Sequence, residues 1–149
     1  MIIKETTVRS HQVIKQLVEL WEYSVRITHT FLSEREILNI KNYVPQALKS
    51  VDHLILAGEN SRNILAFMGI SNHKLEMLFV SPKERYKGIG TKLINYGIDN
   101  YQLNELTVNE QNPAAKGFYE HMKFKVYKRT SLDEQGASYP LLYMKRNNN

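Results

Sequence analysis

The sequence predicts an α/β fold of the α+β type, in which a mixed, mostly antiparallel sheet of seven strands carries about four helices on its two sides. Three observations lead to this prediction. The 149 residues are enough for one domain with a full core, which we place at 1–146. Apolar residues recur with the helical period in some segments and alternate in others. These segments follow one another in the order β-αα-ββ-β-α-β-α-ββ.

The N-terminal part of the chain begins with a short strand, Ile2–Thr6. A helix is predicted over His11–Arg26, because its apolar positions repeat with the helical period. The Ser33-x-x-Glu36 spacing forms a capping box, so a second helix starts there and runs toward Leu48. Pro45 either breaks this helix or restarts it.

Strands dominate the rest of the chain. His53–Glu59 and Ile64–Ile70 flank the polar segment 60–63, which predicts a hairpin turn. The next elements are a strand at Leu75–Val80 and a helix from Gly90 to about Tyr101. They are followed by a strand at Leu106–Asn109, a helix at Pro113–Met122, strands at Lys125–Thr130 and Tyr139–Lys145, and a frayed tail at 147–149.

Composition excludes several classes of protein. No apolar run approaches the roughly 20 residues that cross a bilayer, and the first residues lack the layout of a signal peptide. The absence of cysteine excludes disulfides, a thiolate metal site and a cysteine nucleophile. We therefore expect a cytoplasmic protein with no metal and no membrane association.

A net charge of +5 raises the question of nucleic acid. The cations are spread along the chain, and no basic stripe with interleaved aromatic residues is visible. We expect no nucleic-acid partner; a nucleic-acid-binding domain would instead show an affinity that falls steeply with salt.

The most informative segment is 78–91, where an apolar strand passes through a basic turn into a helix. A helix N-terminus presents unpaired N–H groups and the positive end of the helix dipole. Gly88 and Gly90 let the backbone approach a ligand, and Arg85 and Lys87 add charge. The segment predicts a site for a phosphate-bearing ligand, although a basic turn without a ligand would contain the same residues.

The spacing Arg85-x-x-Gly88-x-Gly90 fits neither a P-loop nor a dinucleotide-binding loop. It resembles the acetyl-CoA signature of the GNAT superfamily of N-acetyltransferases, R/Q-x-x-G-x-G/A. A second block resembles the superfamily pattern V…N-x-x-A…Y-E-x-x-G-F. It matches at Val108, Asn112, Ala115, Tyr119, Glu120 and Phe124.

The second block departs from the family at Lys123, where glycine is usual. We expect Lys123 in the left-handed conformation, which costs roughly 1 kcal/mol. The order of elements is also the GNAT order, so the resemblance covers essentially the whole chain, while its specific motifs occupy residues 75–124.

The resemblance implies an acetyl-CoA-dependent N-acetyltransferase acting on a primary amine, with acetyl-CoA bound in a splay between the fourth and fifth strands. It implies that the turn amides hold the pyrophosphate and that the backbone at Leu78 and Val80 pairs with the pantetheine arm. Asn112 is expected to bond the arm, to cap its helix, or to do both. The predicted cofactor-binding residues are Leu78, Phe79, Val80, Arg85, Tyr86, Lys87, Gly88, Ile89, Gly90, Thr91, Asn112 and Ala115.

Two residues are candidates for proton transfer. The resemblance implies that Tyr119 is the general acid, because a phenol with a pKa of about 10 stays protonated at neutral pH; the alternative is a packed helix tyrosine. Glu76 is the candidate base, since period-two alternation places it on the side of Leu78 and Val80 and burial would raise its pKa. The alternatives are a solvated strand-edge charge and an ordered water as the base.

Segments 21–32 and 131–144 resemble a subgroup of small bacterial GNAT proteins, which shows the pattern W-x-x-S-V-x-x-T-H-x-F-L in the first segment. The resemblance implies that both segments flank the acceptor side of the thioester. Trp21 and Phe31 could instead belong only to the core, and His29 could be a core polar group or a loop cap. Ser131 and Asp133 could simply form a turn. The predicted acceptor-binding residues are Trp21, His29, Phe31, Ser131, Asp133 and Tyr139.

The acceptor is expected to be a small-molecule amine or an amine of a peptide or protein, and the chain a monomer or homodimer. A catalytically silent CoA-binding sensor or regulatory module is the rival interpretation. The presence of both Tyr119 and Asn112 favours the enzyme.

Overall fold

A computed structural model describes residues 1–60 and 62–147 and contains a seven-stranded sheet with helices on both faces. The strands are β1 (Ile2–Glu5), β2 (His53–Asn60), β3 (Asn63–Ser71), β4 (Lys74–Val80), β5 (Glu105–Asn109), β6 (Lys125–Thr130) and β7 (Leu141–Lys145). The helices are α1 (His11–Thr28), α2 (Glu34–Lys41), α3 (Val44–Ser50), α4 (Ile89–Tyr101) and α5 (Pro113–His121), with a 3-10 turn at Pro82–Glu84. Ser61 of the predicted hairpin turn, and Asn148 and Asn149 of the predicted tail, lie outside the described residues.

The sheet order is β1-β2-β3-β4-β5-β7-β6, and every neighbouring pair is antiparallel except β4 and β5. Helix α4 returns the chain to the same end of the sheet, so β5 runs parallel to β4. The two strands pair only at Lys74 with Glu105 and Leu75 with Leu106, and they separate beyond these residues. This architecture confirms the predicted fold class, and the separation is the splay that the resemblance implies.

Two apolar clusters hold the helices on opposite faces of the sheet. On one face, α1 packs Leu17, Trp21 and Val25 against Leu54 and Phe67 of β2 and β3. On the other face, α4 and α5 pack against strand residues in a second cluster that includes Met68, Ile70, Leu93, Ile94, Leu106, Tyr119 and Met122. The helices on either side of the splay therefore share one core, which fixes their separation.

Local signals in the sequence start the helices as predicted. The Ser33 hydroxyl accepts from the Glu36 N–H, and the Glu36 carboxylate accepts from the Ser33 N–H, which forms the capping box at the start of α2. Pro45 occupies the second position of α3 after α2 has ended at Lys41. Of the two open alternatives, Pro45 thus restarts the helix.

Most bounds differ from the predicted ones by one or two residues, and two of these differences bear on the site. Helix α1 continues past Arg26 to Thr28. Strand β7 begins at Leu141 instead of Tyr139, because Pro140 has no N–H to donate to the ladder. Tyr139 consequently lies in the loop that precedes β7.

Strand β4 contains a bulge at Glu76. In the pairing with β3, Glu76 is the extra residue between Leu75 and Met77. Leu75 and Leu78 therefore belong to the same apolar cluster although they are three residues apart. Period-two alternation is broken at this point, so a common direction for Glu76, Leu78 and Val80 does not follow from it.

The end of α5 has the predicted backbone. Lys123 has φ 76°, in the left-handed region. Its N–H donates to the Glu120 carbonyl at 3.0 Å, and the Phe124 N–H donates to the Tyr119 carbonyl at 3.0 Å, which closes the helix end. Across residues 1–60 and 62–147, no helix is long and apolar enough to cross a membrane.

Candidate active site

A cleft of about 480 Å³ opens where β4 and β5 separate. Its walls come from the end of α1, the second half of β4, the turn before α4, and the first two turns of α5. Every predicted cofactor-binding residue except Lys87 lines it, and so do Tyr119 and His29. The Lys87 ammonium instead pairs with the Glu84 carboxylate at 3.0 Å.

The edge of β4 that faces β5 forms one wall of this cleft. From Met77 to Val80 the strand pairs with β3 on one side and has no pairing with β5 on the other. Leu78 and Val80 line the cleft at this edge. Backbone groups along an open strand edge can bind an extended ligand as an additional strand would be bound.

The turn into α4 leaves open space at its glycine. Gly88 is the residue before the helix, with φ 82°, and a Cβ built on it would meet no atom within 4 Å. A Cβ on Gly90 would lie 3.2 Å from Cζ of Phe118. Glycine at 88 therefore keeps open the space in front of the helix N-terminus, whereas glycine at 90 also accommodates the ring on α5.

A half-buried basic side chain and an exposed aromatic side chain border the same turn. The Arg85 guanidinium lies 5.1 Å from the centroid of the Tyr86 ring, and Tyr86 is 93% exposed with φ 66°. A cation held over an aromatic face next to helix N–H groups can contact a phosphate.

Helix α5 supplies the opposite wall. The Asn112 Oδ1 accepts from the Ala115 N–H at 3.3 Å, so Asn112 caps the helix as one of its predicted roles. Tyr119 is 8% exposed, and burial raises its pKa above the ordinary value. Within the described part of the chain its hydroxyl has no hydrogen-bond partner, yet it is not sealed from solvent.

A chain of contacts joins the end of α1 to the loop before β7. The His29 and Phe31 rings have centroids 5.4 Å apart, and those of Phe31 and Tyr139 are 5.6 Å apart. The Tyr139 hydroxyl donates to the Glu36 carboxylate of α2. The structure thus brings together three predicted acceptor residues from two distant segments, and His29 lines the cleft.

The remaining predicted acceptor residues lie elsewhere. Trp21 packs in the core below α1 and is 5% exposed. Ser131 is exposed, and Asp133 Oδ1 accepts from the N–H groups of Gln135 and Ala137. These contacts correspond to the core and turn alternatives, and none of the three residues lines the cleft.

Glu76 also lies outside the residues that line the cleft. Desolvation raises the pKa of its carboxyl, Lys74 lowers it, and the carboxylates of Glu134 and Asp52 raise it further. The charged groups that shift the pKa of Glu76 therefore lie at the start of β4 and in loops, outside the cleft wall.

Sequence reasoning did not select Ser24 and Thr28, which also line the cleft. Ser24 is 4% exposed, although its neighbours on the buried face of α1 are apolar. The sequence contained a signal for them, because both are fixed positions of the pattern W-x-x-S-V-x-x-T-H-x-F-L. They stand four residues apart, so they lie on one side of the helix.

Comparison with known proteins identifies the family. The family model described as an acetyltransferase (GNAT) domain matches residues 29–140. Two curated relatives, each named peptidyl-lysine N-acetyltransferase YjaB, come from Salmonella typhimurium and Escherichia coli. Each is 33% identical over 132 residues, which covers 89% of this chain and 90% and 89% of the relatives.

Solved structures agree with this result. The solution structure of apo-form YjaB from Escherichia coli has a TM-score of 0.85 with 32% identity over 97% of each chain. PaiA N-acetyltransferase from Thermoplasma acidophilum, solved in complex with coenzyme A, has a TM-score of 0.66 at 22% identity, over 97% of this chain and 99% of that one, and shows the fold alone. The chain therefore belongs to the GNAT superfamily and is an acetyl-CoA-dependent N-acetyltransferase.

Proposed function

We propose that the chain transfers the acetyl group of acetyl-CoA to the side-chain amine of lysine in a peptide or protein. The observation that carries this proposal is the ring series His29–Phe31–Tyr139, which consists of three half-buried rings and begins at the cleft. A lysine side chain has an apolar stem and a cationic end, and both bind well along aromatic faces. The two relatives named as peptidyl-lysine acetyltransferases support the same acceptor class.

The cofactor would enter as an added strand at the open edge of β4. The backbone at Leu78 and Val80 would pair with the pantetheine arm, and the open space at Gly88 would admit the pyrophosphate to the N–H groups of α4. The Asn112 carboxamide would face the arm from α5, because its oxygen caps the helix while its NH₂ group stays available as a donor.

Tyr119 would serve as the general acid. Burial raises the pKa of Tyr119, so the hydroxyl is protonated throughout the neutral range. It has no partner in the described residues and remains reachable from the cleft, so it can donate to the sulfur as the thioester breaks.

The acceptor class is tested with matched peptides. A peptide with a blocked N-terminus and a single lysine is incubated with acetyl-CoA, and thiol release and peptide mass are measured together. The control peptide carries norleucine in place of the lysine, which keeps the stem and removes the amine. We expect one acetyl group per thiol on the lysine peptide and none on the control. Thiol release with small amines and an unmodified lysine peptide would refute this acceptor class.

A further inference from the structure

One hydrogen-bond arrangement lies in the cleft wall at the end of α1. The Thr28 hydroxyl lies 2.9 Å from the Ser24 carbonyl oxygen and 2.7 Å from Nδ1 of His29. Thr28 and His29 are adjacent residues at the end of α1, and both line the cleft.

These two contacts fix the tautomer of His29. A carbonyl oxygen only accepts, so the Thr28 hydroxyl must donate its single proton to Ser24. Its oxygen is then an acceptor toward the ring, and Nδ1 of His29 must carry a proton. In the neutral imidazole, the lone pair is consequently on Nε2.

The Nε2 atom is available for chemistry. In the part of the chain that the structure describes, it has no hydrogen-bond partner, and it is not sealed from solvent. Burial lowers the pKa of His29, so the ring is neutral at pH 7. An imidazole that is neutral, oriented and in the cleft wall has the properties of a general base.

The titratable groups around the ring do not oppose this state. Thr28 and Phe31 touch it directly and are uncharged. The cleft wall also contains Glu84, Arg85, Tyr86 and Tyr119, and Tyr139 with Glu36 lies beyond Phe31. On α1 and α2, the Arg26 guanidinium is paired with the Glu22 and Glu34 carboxylates. Desolvation is the one cause that shifts the pKa of His29.

We propose that Nε2 of His29 takes the proton from the acceptor ammonium group, and that Thr28 is a positioning residue that holds the ring in the required tautomer. The amine gives one proton to Nε2, and its lone pair then forms the C–N bond to the thioester carbonyl carbon. The C–S bond breaks, and the sulfur leaves with its electron pair and takes a proton from Tyr119. One of the two protons left on the attacking nitrogen restores Tyr119, and the other stays as the N–H of the amide. His29 returns its proton to solvent, so the products are the amide, the free thiol and one proton.

This proposal rests on the proposed function only in requiring an amine acceptor. It assigns the base to a residue of the cleft wall, whereas Glu76, the base predicted from the sequence, lies outside that wall.

The test combines pH–rate profiles with the tautomer of His29. kcat/KM is measured against pH for the wild type, His29→Gln, Thr28→Val and Thr28→Ser, with whichever amine gives turnover. We expect the wild-type rate to rise through a pKa below about 6.5 and then to level, because the base must be neutral. His29→Gln should lower kcat/KM at pH 7 by roughly a hundredfold or more. Its rate should keep rising with pH, since only amine that is already deprotonated reacts.

Thr28 has its own readout. With ¹⁵N-labelled histidine and no acceptor present, the wild-type ring should carry its proton on Nδ1. Thr28→Val keeps the branched shape without the hydroxyl, and it should shift the proton to Nε2 and lower kcat/KM by less than His29→Gln does. Thr28→Ser keeps the hydroxyl and should retain both the tautomer and the rate.

Two results would overturn the proposal. One is a wild-type rate and pH profile in folded His29→Gln; the other is a wild-type His29 with its proton on Nε2. A failure of lysine peptides beside turnover of a small amine would reject only the proposed acceptor class, because the tautomer is measured without an acceptor. Acetyl-CoA affinity is measured in each variant and should not change.

Discussion

Gly88 is the residue at which we expect a single Cβ to interfere with acetyl-CoA. Its positive φ and the empty space around it have a counterpart at Gly136, with φ 83° and no atom within 4 Å of a built Cβ. Gly136 lies in the β6–β7 loop and does not line the cleft. A side chain would therefore meet the same unfavourable backbone conformation at both positions, and of the two only Gly88 lines the cleft.

We predict that Gly88→Ala weakens acetyl-CoA binding by roughly ten- to a hundredfold, because the methyl group separates phosphate oxygens from charge-assisted N–H donors. Gly88→Ala and Gly136→Ala should lower the free energy of unfolding by similar amounts, because both place a Cβ at a positive φ. Gly136→Ala should leave the acetyl-CoA affinity unchanged. Calorimetric titration and chemical denaturation of both variants check this. Equal affinities in Gly88→Ala and the wild type would remove the phosphate site from this turn.

Tyr119 gives a second prediction at the scale of one atom. Tyr119→Phe keeps the ring contacts with Phe118 and Phe124, so stability and acetyl-CoA affinity should remain close to wild type. Loss of the acid should lower kcat by roughly a hundredfold or more.

The pH dependence of the Tyr119 role also has a definite sign. The hydroxyl works when protonated, and burial raises its pKa, so it should produce no alkaline fall in kcat below about pH 10. A wild-type kcat in folded Tyr119→Phe would reduce this residue to a packing role.

At the scale of elements, α2 is tied to the loop before β7 by the bond from the Tyr139 hydroxyl to Glu36. This bond holds the outer part of the ring series in place. A similar bond joins Tyr127 of β6 to Glu105 of β5 at 2.5 Å, and neither residue lines the cleft.

We predict that Tyr139→Phe raises KM for the amine and leaves acetyl-CoA affinity unchanged, whereas Tyr127→Phe changes neither.

The bond from Tyr139 lowers the pKa of Glu36, so Tyr139→Phe should raise that pKa toward its ordinary value, which an NMR titration detects. Because the folded-state pKa is depressed, the stability from this bond is present above the unfolded-state pKa and is lost as pH falls through the folded-state pKa. A rise in the KM for the amine in both Tyr139→Phe and Tyr127→Phe would contradict a specific role of the Tyr139 bond at the acceptor site.

Local chemistry made most elements predictable. Three helix starts depend only on residues that are close together in the sequence, so they could be located from it. They are the capping box of α2, the glycine before α4 and the asparagine before α5. The bulge at Glu76 depends on pairing with β3, a partner that local alternation does not reveal. For the same reason the period-two argument for the direction of Glu76 was wrong.

At the scale of the whole molecule, the sequence grouped the predicted cofactor-binding residues more successfully than the predicted acceptor-binding residues. The cofactor residues are contiguous around two motifs, and all but Lys87 lie in one cleft. The acceptor residues come from segments that meet only through the fold, so the sequence could not separate Trp21, which faces the core, from His29, which faces the cleft. Ser24 and Thr28 stand four apart in the sequence, and the structure shows that both line the cleft.

A second cleft of about 480 Å³ lies between β1–β3 and the start of α1. It has the same volume as the β4–β5 cleft, but it contains neither glycine of the turn nor any residue of α5. Volume alone therefore does not choose between the two clefts, and the choice rests on the open edge of β4, the glycine turn and Tyr119.

A crystal structure of the chain with coenzyme A tests this choice most directly. We predict that the pantetheine arm pairs with β4 at Leu78 and Val80, that the pyrophosphate lies at Gly88, and that the sulfur is within hydrogen-bonding reach of the Tyr119 hydroxyl. Coenzyme A bound in the cleft beside β1, or bound between β4 and β5 with its sulfur remote from Tyr119, would contradict the assignment of this site.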